Sequence, residues 1–218
     1  MNILIVSATK FEIAPLLHKV KQESIAIGEL SSASFNKLKI DILITGVGMT
    51  ATAFYLGKSL TDKYDAAFNF GLAGSFNSNL EKGSVVNIIE DHFSELGAED
   101  GDQFLVLKDI KLDGVQGIIN DSILKNKILE HIPKVNGITV NKVHGNEESI
   151  TEIFGLFHPI TESMEGAAFL FACNRIGIPH AQIRAISNYV EKRNKANWDI
   201  PLAIENLNKT ALEILDAF

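Results

Sequence analysis

Two carboxylates, an arginine, a glycine turn and an amide are the residues whose types and places could do chemistry. Glu12 follows the apolar run Asn2 to Val6, and Glu165 sits in Ser163–Met164–Glu165–Gly166, where the pattern again passes from an extended stretch into a helix. Singly, each is what a helix start ordinarily carries, because a carboxylate there is favoured by the helix dipole. Two such acids at the mouth of one sheet point to a site. Arg184, in the stretch leading to Ser187–Asn188, can pin one of them in its ionised form through a charge-assisted hydrogen bond. Gly46–Val47–Gly48 opens a helix and has two readings. It is either a phosphate cradle at a helix N-terminus or a tight turn that needs glycine conformations. A dinucleotide fingerprint would need a third glycine where Ala51 stands, and the Walker lysine pattern is absent.

The elements that must position these residues are legible as an alternation. Asn2 to Val6, Ile40 to Thr45, Ala66 to Phe70, Ser84 to Ile89 and Ala181 to Ser187 are short, continuous and rich in β-branched residues, the mark of strands buried on both faces. Between them, Lys10 to Val20, Met49 to Leu60 and Glu165 to Arg175 carry helical spacing, the last stopped by Gly177 and Pro179. Asp199 to Ala217 repeats Ile200, Ala203, Ile204, Leu207, Ala211 and Leu215, an amphipathic closing helix. The expectation is a single α/β domain over residues 1–218: a central mixed and largely parallel sheet flanked by helices on both faces. Ligands of such sheets bind beyond the carboxyl ends of the strands. Ser94 to Phe104, with its glycines and acids, reads as a mobile loop.

Composition narrows the function classes. Lys plus Arg number 20 against 27 Asp plus Glu, a net charge of −7 with no basic cluster, so nucleic acid is not an expected partner. No apolar run approaches the roughly 18 residues of a transmembrane helix. The amino terminus lacks the basic region and cleavage site of a signal peptide, and a cytoplasmic protein with no membrane partner is expected. The lone Cys173 sits in an apolar helical run and reads as a packed thiol.

The run Ser7–Ala8 to Glu12, the turn Gly46–Val47–Gly48, the segment Gly71–Leu72–Ala73–Gly74, the helix start at Ser163–Met164–Glu165–Gly166 and the stretch Arg184 to Asn188 resemble, in order and over nearly the whole chain, the purine nucleoside phosphorylase and methylthioadenosine nucleosidase superfamily. Phe93 to Asp100 and Asn188 to Trp198 are more similar to the branch of that superfamily that releases hypoxanthine. The resemblance implies a nucleoside phosphorylase-like fold, no metal and no organic cofactor, a small purine nucleoside as substrate, and a homodimer or larger homo-oligomer. It also implies roles. Glu12 would activate water, Glu165 would hold the ribose hydroxyls with its orientation fixed by Arg184, and Met164 would pack under the sugar. Val47, Gly48, Gly71, Ala73 and Gly74 would line the substrate with backbone, and Trp198 would cover the 5′ side, unless it is simply a helix-start aromatic packed on the core.

Two departures from the family sharpen the expectation. Adenine-specific members carry an aspartic acid that protonates N7, where this chain has Asn188; an amide holds a 6-oxopurine by donating a hydrogen bond to N7 or O6 but gives up no proton. Ser187 would fix that amide. Secondly, the segment His144 to Ser149 lacks the aromatic that stacks on the base in methylthioadenosine nucleosidases, leaving Phe70, Phe93 or Phe104 to supply a face, and His144 reads as a turn residue. Arginines are confined to Arg175, Arg184 and Arg193, so a phosphate dianion beside the sugar has little to hold it and water is the expected attacker. Lys192 or Arg193 is the candidate for an anionic 5′ substituent. Three other readings stay open: an adenine-releasing nucleosidase, a phosphorylase, and a nucleoside-binding protein without catalysis.

Overall fold

The computed structural model describes all 218 residues. Strand β1 (Asn2–Ser7) shows why the chain buries two faces: Ile3 and Ile5 point to one side and Leu4 and Val6 to the other, all fully buried. The chain continues through α1 (Ala14–Lys19), β2 (Leu30–Phe35), β3 (Leu38–Ile44), α2 (Met49–Ser59), β4 (Ala66–Ser75), β5 (Val85–Phe93), β6 (Gly97–Asp100), β7 (Gln103–Val106), β8 (Gly117–Ile119) and β9 (Lys134–Thr139). It ends with α3 (Glu147–Phe157), β10 (Thr161–Ser163), α4 (Gly166–Ile176), β11 (His180–Tyr189) and α5 (Ile200–Asp216). Helices cover both faces as expected. Ile3, Ile5, Phe68 and Ile183 pack against Leu16, Leu17, Ala203, Leu207 and Ile214 of α1 and α5, and Leu4, Val6 and Ala67 pack against Leu56, Phe169, Leu170 and Cys173 of α2 and α4. No helix is long and apolar enough to cross a membrane.

The sheet departs from the expectation of a largely parallel arrangement. Its order is β10-β9-β5-β11-β4-β1-β3-β2, with β8 added to β5, and antiparallel pairs (β2–β3, β5–β11, β5–β8, β4–β10) are nearly as frequent as parallel ones. Strand β10 pairs with β9 on one side and with β4 on the other, so β4, β11, β5, β9 and β10 close on themselves as a small barrel. Closure follows from extension: β4 runs on through Gly71–Ser75 and β11 through Asn188–Tyr189, beyond the ends expected from their apolar runs.

Two other expectations need correction, and a third holds. Lys10 to Val20 is not one long helix: residues 10–13 form turns and α1 is six residues, with Pro15 in its first turn. Ser94 to Phe104 is not a free loop, because β6 and β7 pair as an antiparallel hairpin around Gly101, whose φ of 62° suits glycine. Cys173 is fully buried, as expected, and burial pushes its thiol pKa up, away from reactivity.

Candidate active site

The carboxyl half of β4 is the spine of the site. Gly71 and Leu72 face the Glu12 carboxylate, and Ala73 and Gly74 face Ser187 and the amide of Asn188, so the two ends lie roughly 7 Å apart along one strand. A Cβ on Gly71 would sit 2.0 Å from Nη1 of Arg184 and 3.1 Å from Oε1 of Glu12, so only glycine lets guanidinium and carboxylate flank the strand there.

Glu12 is wired from both sides. Its Oε2 accepts from the Thr9 N–H at 3.0 Å, the Thr9 hydroxyl at 2.9 Å and, more weakly, Ser7 Oγ, while Oε1 accepts only from the Leu72 N–H at 3.0 Å. A carboxylate oxygen takes two hydrogen bonds, so Oε1 keeps a lone pair for water. The turn carrying Glu12 is held by a residue that sequence reasoning missed. Asn208 of α5 donates Nδ2 to the Glu12 carbonyl at 2.8 Å and accepts the Leu16 N–H at 3.0 Å. A polar residue on the apolar face of the closing helix was the signal that could have found it.

Glu165 precedes α4 but caps nothing: its Oε1 accepts the Gly48 N–H at 2.9 Å, from 117 positions away. Gly46 and Gly48 adopt φ of 77° and 102°, so the glycine turn is a conformational requirement and a backbone donor at once. Burial pushes the Glu165 carboxyl above its usual range; the charge of Arg184 and the Gly48 N–H pull the other way, and Glu12 pushes it further up. Arg184 does not orient Glu165 directly, contrary to expectation. Its Nη2 donates to Asn69 Oδ1, and no ion pair within 4 Å joins it to either carboxylate. Its charge, 1% exposed, acts through a poorly screened interior instead. Beneath it, Asp91 accepts from Thr139 Oγ1 and Gln182 Nε2, both at 2.9 Å. Burial raises the Asp91 pKa to about 6. Gly166 must lack a Cβ, which would lie 2.3 Å from this carboxylate. Asp91, Gln182 and Thr139 were not foreseen, since each lies on the interior face of a strand and looks like ordinary core filling.

The other end, around Asn188, is built differently. The pairing of β11 with β4 shifts register between Ile186 and Asn188, leaving Ser187 as a bulge. A bulge lets neighbouring side chains turn the same way, and Ser187 Oγ reaches Asn188 Oδ1 at 2.8 Å, as expected. Asn188 Nδ2 donates to the Tyr189 carbonyl at 3.0 Å. A carbonyl only accepts, so the amide has one polarity, and the second N–H of Nδ2 is free beside Gly74, where a Cβ would approach to 3.1 Å. Gly74, Asn188, Tyr189, His144, Glu162 and Trp198 line a narrow cavity of about 60 Å³, smaller than the few hundred Å³ usual for a small-molecule site. The chain from Val190 to Trp198 borders it, with the Arg193 N–H on the Gly145 carbonyl and the Arg193 guanidinium 5.1 Å from the Trp198 ring centre.

The other expected residues divide. Met164 is half-buried beside Glu165, Val47 is exposed at the glycine turn and Ala73 is buried behind Ser187. Of the proposed stacking faces, Phe70 is lost to the core, packed on Phe68. Phe93 lines a separate apolar cleft of about 690 Å³ with Met49 and Phe171, and Phe104 lies against Gly97 on the hairpin. His144 is more than a turn residue: it is paired with Glu162 in the narrow cavity beside Asn188.

Backbone donors meet two carboxylates at one end of the site, and a singly oriented amide from β11 stands at the other. The chain belongs to the phosphorylase superfamily, whose family model matches residues 2–218. Among its relatives it is 27% identical to a futalosine hydrolase of Thermus thermophilus, over 97% of this chain and 94% of that one. It is 26% identical, end to end in both chains, to a 5′-methylthioadenosine/S-adenosylhomocysteine nucleosidase of Glaesserella parasuis. The native structure of futalosine hydrolase from Helicobacter pylori superposes with a TM-score of 0.79 at 15% identity, covering 100% of this chain and 98% of that one, which speaks for the fold.

Proposed function

We propose that this chain is an N-glycosidase that hydrolyses futalosine, releasing hypoxanthine. The observation that carries the proposal is the amide polarity of Asn188. With its oxygen on Ser187 and one N–H on Tyr189, the remaining N–H donates to an acceptor on the base, and a 6-oxopurine has acceptors at N7 and O6. Adenine would bring an amino donor towards the same N–H.

At the sugar end, Glu12 takes the proton of the attacking water through the free lone pair of Oε1, and Glu165 binds the ribose hydroxyls. The transition state resembles a ribosyl cation, and paired carboxylates in a buried site stabilise it more than they stabilise the neutral ground state. Water is favoured over phosphate by charge. Arg184 is buried behind the carboxylates, Arg175 stacks on Phe171, Arg193 stacks on Trp198, and no cation stands at Gly46–Met49. Trp198 and Arg193 border the cavity beside Asn188, at the base end and not at the 5′ side. The protein works without metal or cofactor, as a homo-oligomer joined through the apolar cleft between α2 and α4, near which Phe54 is exposed.

The full-length match to an adenine-releasing nucleosidase keeps that activity as a second reading. One assay separates them: futalosine, methylthioadenosine and inosine, each with and without phosphate, with the base and sugar identified. Hypoxanthine and unphosphorylated sugar are expected. Adenine as the sole base, or sugar always phosphorylated, would overturn the proposal.

A further inference from the structure

Asn188 holds a purine but has no proton to give it, and a base leaving without one carries a full negative charge. Besides Glu162 and Tyr189, the ionisable side chains lining the narrow cavity are His144, Glu191 and Arg193. Glu191 accepts from Asn197, Arg193 stacks on Trp198, and Glu162 is occupied with His144.

His144 is gripped twice by one carboxylate. Its backbone N–H donates to Glu162 Oε1 at 3.0 Å, and its ring Nδ1 meets Oε2 of the same residue. The Glu162 side chain is 3% exposed and that of His144 10%, so the pair is sheltered from water. A carboxylate oxygen makes Nδ1 the donor, which leaves Nε2, without a protein partner, as the nitrogen available to a ligand. Glu162 lies on β10, directly before Ser163–Met164–Glu165, so one short strand carries both the histidine's partner and the approach to the ribose-side acid.

Resting on the function proposed above, we infer that His144, ion-paired to Glu162, is the general acid for departure of the base. As the C1′–N9 bond breaks, its electron pair moves onto the purine, and the Nε2 proton passes to N7 while Asn188 donates to O6. Neutral hypoxanthine leaves, and the imidazole stays neutral with Nδ1–H on Glu162. The water oxygen bonds to C1′, one of its protons goes to Glu12, and solvent returns a proton to His144 and removes one from Glu12. One water is consumed overall. The division of labour explains how an amide stands where an ionisable acid would otherwise serve: orientation and proton supply sit on different residues.

The test compares His144→Ala and Glu162→Gln with wild type on the purine nucleoside it cleaves and on p-nitrophenyl β-D-riboside, whose nitrophenolate departs unprotonated. For His144→Ala, kcat on the purine nucleoside should fall about 100-fold or more, with KM, melting temperature and nitrophenyl riboside turnover changed less than about threefold. Glu162→Gln should show the same pattern at smaller size. Parallel loss on both substrates, a loss confined to KM, a lowered melting temperature that accounts for the loss, or undiminished purine turnover each overturns the inference. A wild type that releases no purine from any nucleoside sinks the functional proposal instead.

Discussion

The two ends of the site are held by different means. At the sugar end, charged groups are fixed by backbone N–H groups far away in the chain: Gly48 on Glu165, Leu72 on Glu12, with Asn208 of the last helix bracing the turn. At the base end, the amide is fixed by its own neighbours, Ser187 and Tyr189, and by a bulge that turns them together. On the proposed function, the sugar end faces a centre that becomes cationic and needs buried negative charge, which folds safely only when many donors and a counter-charge surround it. On the same reading, the base end must choose between donors and acceptors on a flat ring, and a neutral, singly oriented amide does that without any charge of its own.

The sharpest way to break this contrast is at Glu12. Replacing it with Gln removes the base and should lower kcat about 10²- to 10⁴-fold while nucleoside binding, measured by calorimetry, is nearly retained. Full activity would remove Glu12 from the mechanism. Next comes Arg184→Met, which leaves Asp91 and Glu165 buried without their shared counter-charge. It should cost about 3 kcal/mol or more in urea unfolding, against a much smaller cost for an equally buried apolar change. A loss below about 1 kcal/mol would show that Arg184 does not balance these acids.

Asn188→Asp attacks the other end. A carboxylate faces the Tyr189 carbonyl and no longer donates to O6, so hypoxanthine release should fall about tenfold, the worth of roughly one hydrogen bond, and adenine nucleosides should gain. An unchanged preference between the two bases would refute the amide's role. The smallest effect is on pH dependence. Asp91 titrates near 6 when folded and near 3.8 otherwise, so the folded state binds more protons between those values and stability falls as pH rises from about 4 to about 6. Asp91→Asn should flatten that slope, because an amide does not titrate, and the unpartnered Gln182 Oε1 can accept from it. A slope of unchanged size in the variant would assign it to other groups.

Much of the sugar end was visible from residue order: Glu12 after the first strand, the Gly46–Gly48 turn, Glu165 before an apolar helix and Arg184 inside a buried strand. What holds them was not. Asn208, Asp91, Gln182 and Thr139 each lie in periodic apolar stretches where one polar residue is unremarkable until a partner from another element meets it. The edge strand Leu30–Phe35 escaped notice because its serines face solvent, and α3 because its acids and β-branched residues weaken the helical pattern. His144 was read as a turn residue because its partner lies 18 positions away.

The order of residues along the chain determined the α/β alternation, the two buried faces and the glycine positions, because periodicity and backbone conformation are local properties. Tertiary structure alone decided that β10 closes a barrel onto β4, that a bulge at Ser187 sets Asn188 beside Gly74, and that Glu162 seizes His144. Those outcomes depend on register and on contacts between strands distant in sequence, where a shift of one residue would send each side chain to the opposite face.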